Sequence, residues 1–189
     1  ISADGKFIFF VSNRKGTMGE KDIWKAEKEP AGEWGKAVNL GHTINTEFDE
    51  ESPFIHPDGK TLYFSSKGHS SMGGYDIFKT VNENGQWTKP ENIGYPVNTA
   101  GDDLHFVLTA DGKNGYFTSS RTGTLGEQDI YKVGFDVSVP LILVKGVVKK
   151  EEPGEFNVSI NIINKKTGQP EEFVYNPNPV TGKYLMILP

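Results

Sequence analysis

The chain has 189 residues, a formal net charge of −5, 22 glycines, 11 prolines and no cysteine. No run of Lys or Arg stands out, which excludes the electrostatic footprint of a nucleic-acid binder or an anionic-membrane binder. The missing cysteines exclude disulfides, thiolate zinc sites and cysteine nucleophiles. No apolar run approaches the roughly 20 residues that span a bilayer. Aromatics at 12% among so many turn residues favour an all-β protein.

The N-terminal residues ISADGKFIFFVS carry neither an initiator Met nor a charged-then-apolar leader, so the chain is expected to begin inside a domain. Asp4-Gly5 is a tight-turn dipeptide, and IFFVS after it reads as a strand. A loop, RKGTMGEK, leads to a second strand, DIWK, and Trp34 opens an outer strand segment. ESPFIHP supplies the first strand of a further unit, and the pattern then returns. DGKFIFFVSNRKGTMGEKDIWK, DGKTLYFSSKGHSSMGGYDIFK and DGKNGYFTSSRTGTLGEQDIYK start at Asp4, Asp58 and Asp111. Asp22, Asp76 and Asp129 each follow the opening Asp by 18 positions. Trp34 and Trp87, Asn45 and Asn98, and Asp49 and Asp102 all lie 53 apart.

The second strand of each copy is apolar on both sides: Phe9, Tyr63 and Tyr116 on one, Phe10, Phe64 and Phe117 on the other. A strand covered on a single side alternates with polar residues, so stacked sheets are expected. Short antiparallel strands recurring at this period predict a partial β-propeller of about three blades of four strands, the first lacking its opening strand. Three blades cannot close a ring, so the chain is expected to be part of a longer polypeptide or to sit against other protein.

After Asp129-Ile130-Tyr131-Lys132 the repeat stops. NVSINIIN places Val158, Ile160 and Ile162 on one side of a strand, and Lys166-Thr167-Gly168 and Thr181-Gly182-Lys183 are turn signals. The expected organisation is propeller blades over residues 1–138 and a small β-sandwich over 139–189, incomplete in this chain.

The segment GHSSMGG, residues 68–74, looks like the Gly-x-Ser-x-Gly elbow of α/β hydrolases. In register, however, Ser70 stands where the other copies carry Gly16 and Gly123, and the loop joins two strands rather than a strand and a helix. It is read as a hairpin loop. His42, His56, His69 and His105 show no paired spacing for a metal. Asp49-Glu50-Glu51 and Asp102-Asp103 lack the dense ligand spacing of a dedicated calcium loop. No catalytic residue, cofactor or metal is expected. Asp22, Asp76 and Asp129 recur in every copy and are read as structural acceptors for loop N–H groups. Trp34 and Trp87 are read as packing residues. Arg14 and Arg121 are read equally as carboxylate clamps or turn stabilisers. Asp49, Glu50, Asp102 and Asp103, near the entry to a blade's first strand, are the candidate partner-binding residues.

SADGKFIFFVSNRKGTMGEKDIW and HPDGKTLYFSSKGHSSMGGYDIF resemble the WD40-like repeats of the TolB type. The W-x-x-P-x-N-(I/L)-G and (I/V)-N-T pattern resembles propellers of OmpA-like envelope proteins, with Ala37 in place of the proline found at Pro90. VKGVV, NKKTGQP and TGKYLMILP are similar to the carboxypeptidase regulatory-like, or transthyretin-like, domain. These resemblances imply a non-catalytic scaffold in the periplasm of a Gram-negative bacterium. They further imply outer-membrane association, protein partners in the envelope, a peptidoglycan link through a domain outside this chain, and a place in type IX secretion. The alternatives are a propeller gating a peptidase that lies outside the chain, or a glycan-binding module.

Overall fold

The computed structural model describes residues 1–135, 142–149, 158–163, 168–175, 177 and 182–188. Among the described residues every regular element is a strand, and every named pairing is antiparallel. The first sheet holds β1 (Phe7–Ser12), β2 (Asp22–Glu27) and β3 (Val38–Asn39) in that order. The second holds β4 (Glu50–Ile55), β5 (Thr61–Ser66), β6 (Asp76–Glu83) and β7 (Gln86–Trp87), with β8 (Glu91–Asn92) also pairing with β6. The fourth strand of this blade is thus broken into two short pieces around Thr88-Lys89-Pro90, where proline has no N–H to continue the ladder. The third sheet holds β9 (Asp103–Leu108), β10 (Asn114–Ser119) and β11 (Asp129–Gly134). These are the blades of a partial, open β-propeller.

The middle sheet is covered on both faces. Phe64 and Leu62 join Ile23, Ile44, Ile55 and Phe78 in a core between the first and second sheets. Tyr63, one residue along and therefore on the opposite face, joins Ile77, Val97, Phe106 and Phe117 in a core between the second and third. Aromatic rings cross both seams, with Phe9 edge-on to Trp87 at 6.2 Å and Tyr63 4.9 Å from Phe106, while Phe64 stacks on Phe78 within the second sheet at 6.0 Å. Among the described residues the third sheet is covered on one face. Phe117 is buried while its neighbour Tyr116 is exposed.

Successive blades are stitched by backbone bonds at equivalent positions. Glu50 N–H donates to the Lys21 carbonyl at 2.8 Å, and Asp103 N–H donates to the Tyr75 carbonyl at 2.7 Å. Each innermost strand carries a bulge in which a non-glycine residue turns left-handed, Ser52 at φ 52° and His105 at φ 56°. The register slips at both sites, between Glu51 and Phe54 and between Tyr116 and Thr118.

The Asp-Gly turns are built as their residue types dictate. Gly59 takes φ 72°, and Asp58 accepts bonds from Lys60 N–H, Thr61 N–H and Thr61 Oγ1, with His56 Nδ1 3.2 Å from its Oδ2. Burial by itself would raise this carboxyl; the bonds from His56, Thr61 and Lys60 outweigh it and bring the pKa from 3.8 down to about 2. The carboxylate therefore stabilises the fold above pH 3.8, and that contribution is lost as pH falls through about 2. Asp58→Asn is expected to cost about 2 kcal/mol at neutral pH. In urea unfolding, the gap to the parent should close near pH 2, and a gap constant with pH would reject the assignment.

Beyond the third blade, β12 (Ile142–Val147) pairs with β15 (Lys183–Leu188), and β13 (Ile160–Ile163) pairs with β14 (Pro170–Tyr175). Ile160 and Ile162 are half-buried and alternate with exposed Asn161 and Ile163. The expected domain boundary at residues 138 and 139, and the turn residues Lys166, Thr167 and Thr181, lie outside the described residues.

Candidate binding face

Each recurrent aspartate closes the long loop that precedes it. Asp22 accepts the N–H of Met18 (2.9 Å) and of Gly19 (3.2 Å), Asp76 accepts that of Met72, and Asp129 accepts that of Leu125 (2.8 Å). A carboxylate gripping consecutive amides fixes the loop tip by charge-assisted bonds. Asn39 and Asn92 donate to Asp22 and Asp76 at 2.6 and 2.8 Å, tying the loop to the outer strand. Asp76 receives fewer bonds than Asp22: its Oδ1 is buried without a partner among the described residues, and burial raises its pKa.

A second pair of amides replaces missing strand partners. Asn45 Oδ1 accepts Ile23 N–H at 2.8 Å while its Nδ2 donates to the Ile23 carbonyl at 3.0 Å; Asn98 does the same for Ile77 at 2.8 Å on both sides. The side-chain amide thus stands in for a neighbouring strand's peptide group. Asn45 and Asn98 were visible in the sequence as spaced repeats, but their role depends on a fold that brings residues some 20 positions apart together.

The acidic candidates divide by burial. Glu50 and Asp103 are fully buried, which corrects the expectation that they face a partner. Glu50 accepts from Thr46 N–H, Thr46 Oγ1 and Ser66 Oγ, and burial raises its pKa. Asp103 accepts from Thr99 N–H, Thr99 Oγ1 and Arg121. The innermost strand begins at these residues, so their side chains turn into the seam between blades. Asp49 and Asp102 remain partly exposed. Asp49 Oδ2 accepts from Tyr75 Oη at 3.2 Å and lies 3.4 Å from Lys67 Nζ, while Asp102 Oδ1 accepts Tyr75 N–H. Burial, with Asp49 alongside, raises the Tyr75 phenol. Among the described residues no group of three or more His, Cys, Asp or Glu is placed to hold a metal ion.

The loop containing Ser70 joins β5 to β6, an antiparallel pair. The neighbouring imidazole is committed elsewhere: His69 Nε2 donates to the Ile44 carbonyl at 2.9 Å, and burial lowers its pKa. Trp87 is half-buried and packs edge-on against Phe9 at 6.2 Å, whereas Trp34 is exposed. Trp87 and Phe9 line a groove of about 800 Å³ between the first two sheets.

What the sequence reading missed is the set of residues that the recurrent aspartates hold up. Met18, Met72 and Leu125 occupy one position in the three loops and are 48%, 54% and 98% exposed. Phe48 is also exposed, and its backbone carbonyl crowds against Gly19, the residue after Met18, where an added Cβ would lie 2.2 Å away. The signal was present as T-(M/L)-G in the first and third copies and S-M-G in the second. These tips lie at the same end of successive sheets as Asp49 and Asp102.

No family model matches the sequence, and no curated protein matches it. A solved structure described as a putative TolB from Agrobacterium tumefaciens is similar to this chain at 18% identity and a TM-score of 0.47. The match covers 100% of this chain and 57% of that one, so the chain spans little more than half the length of that structure.

Proposed function

We propose that this chain is a non-catalytic protein-interaction module whose docking face is the end of the blades carrying Met18, Met72, Leu125 and Phe48. The observation that carries this reading is the repeated display of an exposed apolar side chain on a loop braced by a buried or half-buried aspartate. Exposing apolar groups on rigid supports opposes solubility unless they are covered in use. Methionine is suited to irregular protein surfaces because its unbranched thioether adapts to the surface it meets. The partly exposed carboxylates of Asp49 and Asp102 flank the same end and supply a polar rim.

The setting we propose is the periplasm of a Gram-negative bacterium, in an outer-membrane-associated, OmpA-like protein linked to peptidoglycan through another domain and serving type IX secretion. This setting rests on the resemblance of the repeats and of the C-terminal motifs VKGVV, NKKTGQP and TGKYLMILP, and on their order along the chain.

The combined variant Met18→Ser, Met72→Ser, Leu125→Ser is expected to melt within about 2 °C of the parent, because exposed tips contribute little to stability. It should lose the envelope proteins that the immobilised parent retains from periplasmic extract. Undiminished retention by a folded triple variant would reject this face as the docking site.

A further inference from the structure

The two seams between the blades are built from matched positions and filled differently. Residues of the third sheet lie 53 positions after their counterparts in the second, and the pairing of Val107 with Tyr116 repeats that of Phe54 with Tyr63. Phe106 therefore matches Pro53, and Phe135 matches Asn82. The backbone agrees, because Asn82 N–H donates to the Lys60 carbonyl and Phe135 N–H to that of Lys113. In the second seam the two phenylalanines extend the core toward the Asp-Gly turns. Phe106 lies 4.9 Å from Tyr63, and Phe135 meets Phe106 edge-on at 6.2 Å.

The first seam has neither ring. Leu62 stands where the third sheet has Gly115, whose added Cβ would lie 2.6 Å from the Phe106 ring, so leucine takes up part of that space. Asn82 leaves the place of Phe135 open, and its Oδ1 is spent on Gly85 N–H at 3.0 Å. The result is the groove of about 800 Å³ beside Phe9 and Trp87, a size suited to a small ligand. It lies at the turn end of the sheets, away from the loop tips, so the inference stands apart from the docking face proposed above. Lys25, Lys28 and Lys36 line it against Glu27 and Glu29, in a chain whose net charge is −5. Among the described residues none of these lysines is in an ion pair; Lys25 and Lys28 rest over the rings of Phe7 and Trp34 at 3.8 and 5.9 Å.

We propose that this groove binds a short linear peptide through one aromatic side chain flanked by carboxylates. The second seam shows what the space accepts: a phenyl ring at the position of Asn82, where Phe135 extends the core in cis. A ring entering beside Phe9 and Trp87 buries a large apolar area in edge-to-face contact. Carboxylates on either side of it meet the ammonium groups of Lys25 and Lys28, which lack acidic partners of their own. A neutral sugar could stack on Trp87 but offers those ammonium groups no charge.

The probe is acetyl-Asp-Phe-Asp-amide titrated into the ¹⁵N-labelled protein and read at the Trp87 indole N–H. A saturable shift with a Kd of about 1 mM or below is expected. The same peptide with alanine for phenylalanine, or with lysines for the aspartates, should bind roughly tenfold more weakly. Asn82→Phe supplies the missing ring in cis and should abolish the shift. It should melt no lower than the parent, because burial of the ring offsets the lost bond to Gly85. Lys25→Gln with Lys28→Gln breaks no ion pair and decides the case if Asn82→Phe does not fold; it should weaken the peptide about fivefold. No shift up to about 10 mM peptide, equal binding of either control peptide, or undiminished binding by a folded variant would overturn the proposal. A shift with chitotriose and none with the peptide would assign the groove to a glycan, which also overturns it.

Discussion

Ile77→Ala is expected to destabilise the protein by about 3 kcal/mol, and Ile130→Ala by less than about 0.5 kcal/mol. The two isoleucines follow the recurrent aspartate in the same motif, so composition and local propensity are matched. What differs is the next sheet. Ile77 is 0% exposed in the core shared with Val97, Phe106 and Phe117, whereas Ile130 is 79% exposed on the outer face of the third sheet. Truncating Ile77 removes apolar contact and leaves a cavity in a close-packed seam; truncating Ile130 removes little that is covered. Equilibrium urea unfolding of both variants measures the contrast. Equal costs would mean that the faces of the second and third sheets are covered alike, and the account of stacked blades would fail.

Asn98→Asp is expected to cost about 3–5 kcal/mol at pH 7, although it changes one atom of the side chain. The carboxylate can still accept from Ile77 N–H, but it faces the Ile77 carbonyl and Asn92 Oδ1 with an acceptor where the amide donates at 2.8 and 2.7 Å. The site is fully buried, so the new charge loses its solvent, and none of the side chain's own partners is a cation. The variant carries a distinguishing pH signature. Burial among acceptors raises the folded-state pKa of the introduced acid, so its penalty is present above that value and is relieved as pH falls through it. A protonated acid can donate to the Ile77 carbonyl and recovers part of the bond. Unfolding of Asn98→Asp from pH 7 to pH 4 should therefore show its stability approaching that of the parent. A variant within 1 kcal/mol of the parent at neutral pH would mean that the amide does not substitute for a strand.

Much of the architecture was legible because it is written locally and repeated. Asp-Gly followed by an aromatic and β-branched run specifies a turn and a strand wherever it occurs, and three copies in register exclude accident. Apolar residues on both sides of β5 announced a sheet with two covered faces, and Phe64 and Tyr63 occupy those faces. The register also set Ser70 against Gly16 and Gly123, which identified a hairpin loop from the residue types alone.

Other features depended on which sheet a residue meets. Glu50 and Asp103 look like surface carboxylates in an acidic run, yet the stitch that brings Glu50 N–H to Lys21 turns the side chain inward, and the same holds for Asp103 and Tyr75. Arg121 and Arg14 share local partners and differ only in whether a preceding loop reaches their terminal nitrogens. Tyr63 and Tyr116, Ile77 and Ile130, and Trp87 and Trp34 are likewise matched in sequence and different in burial. The repeat by itself determined the strands, the turns, the braced loops and the two-sided apolar pattern, because each follows from contacts within about 20 residues. The tertiary structure alone decided which copies of each residue are covered, since the two cores lie in the seams between blades and a neighbouring sheet supplies them.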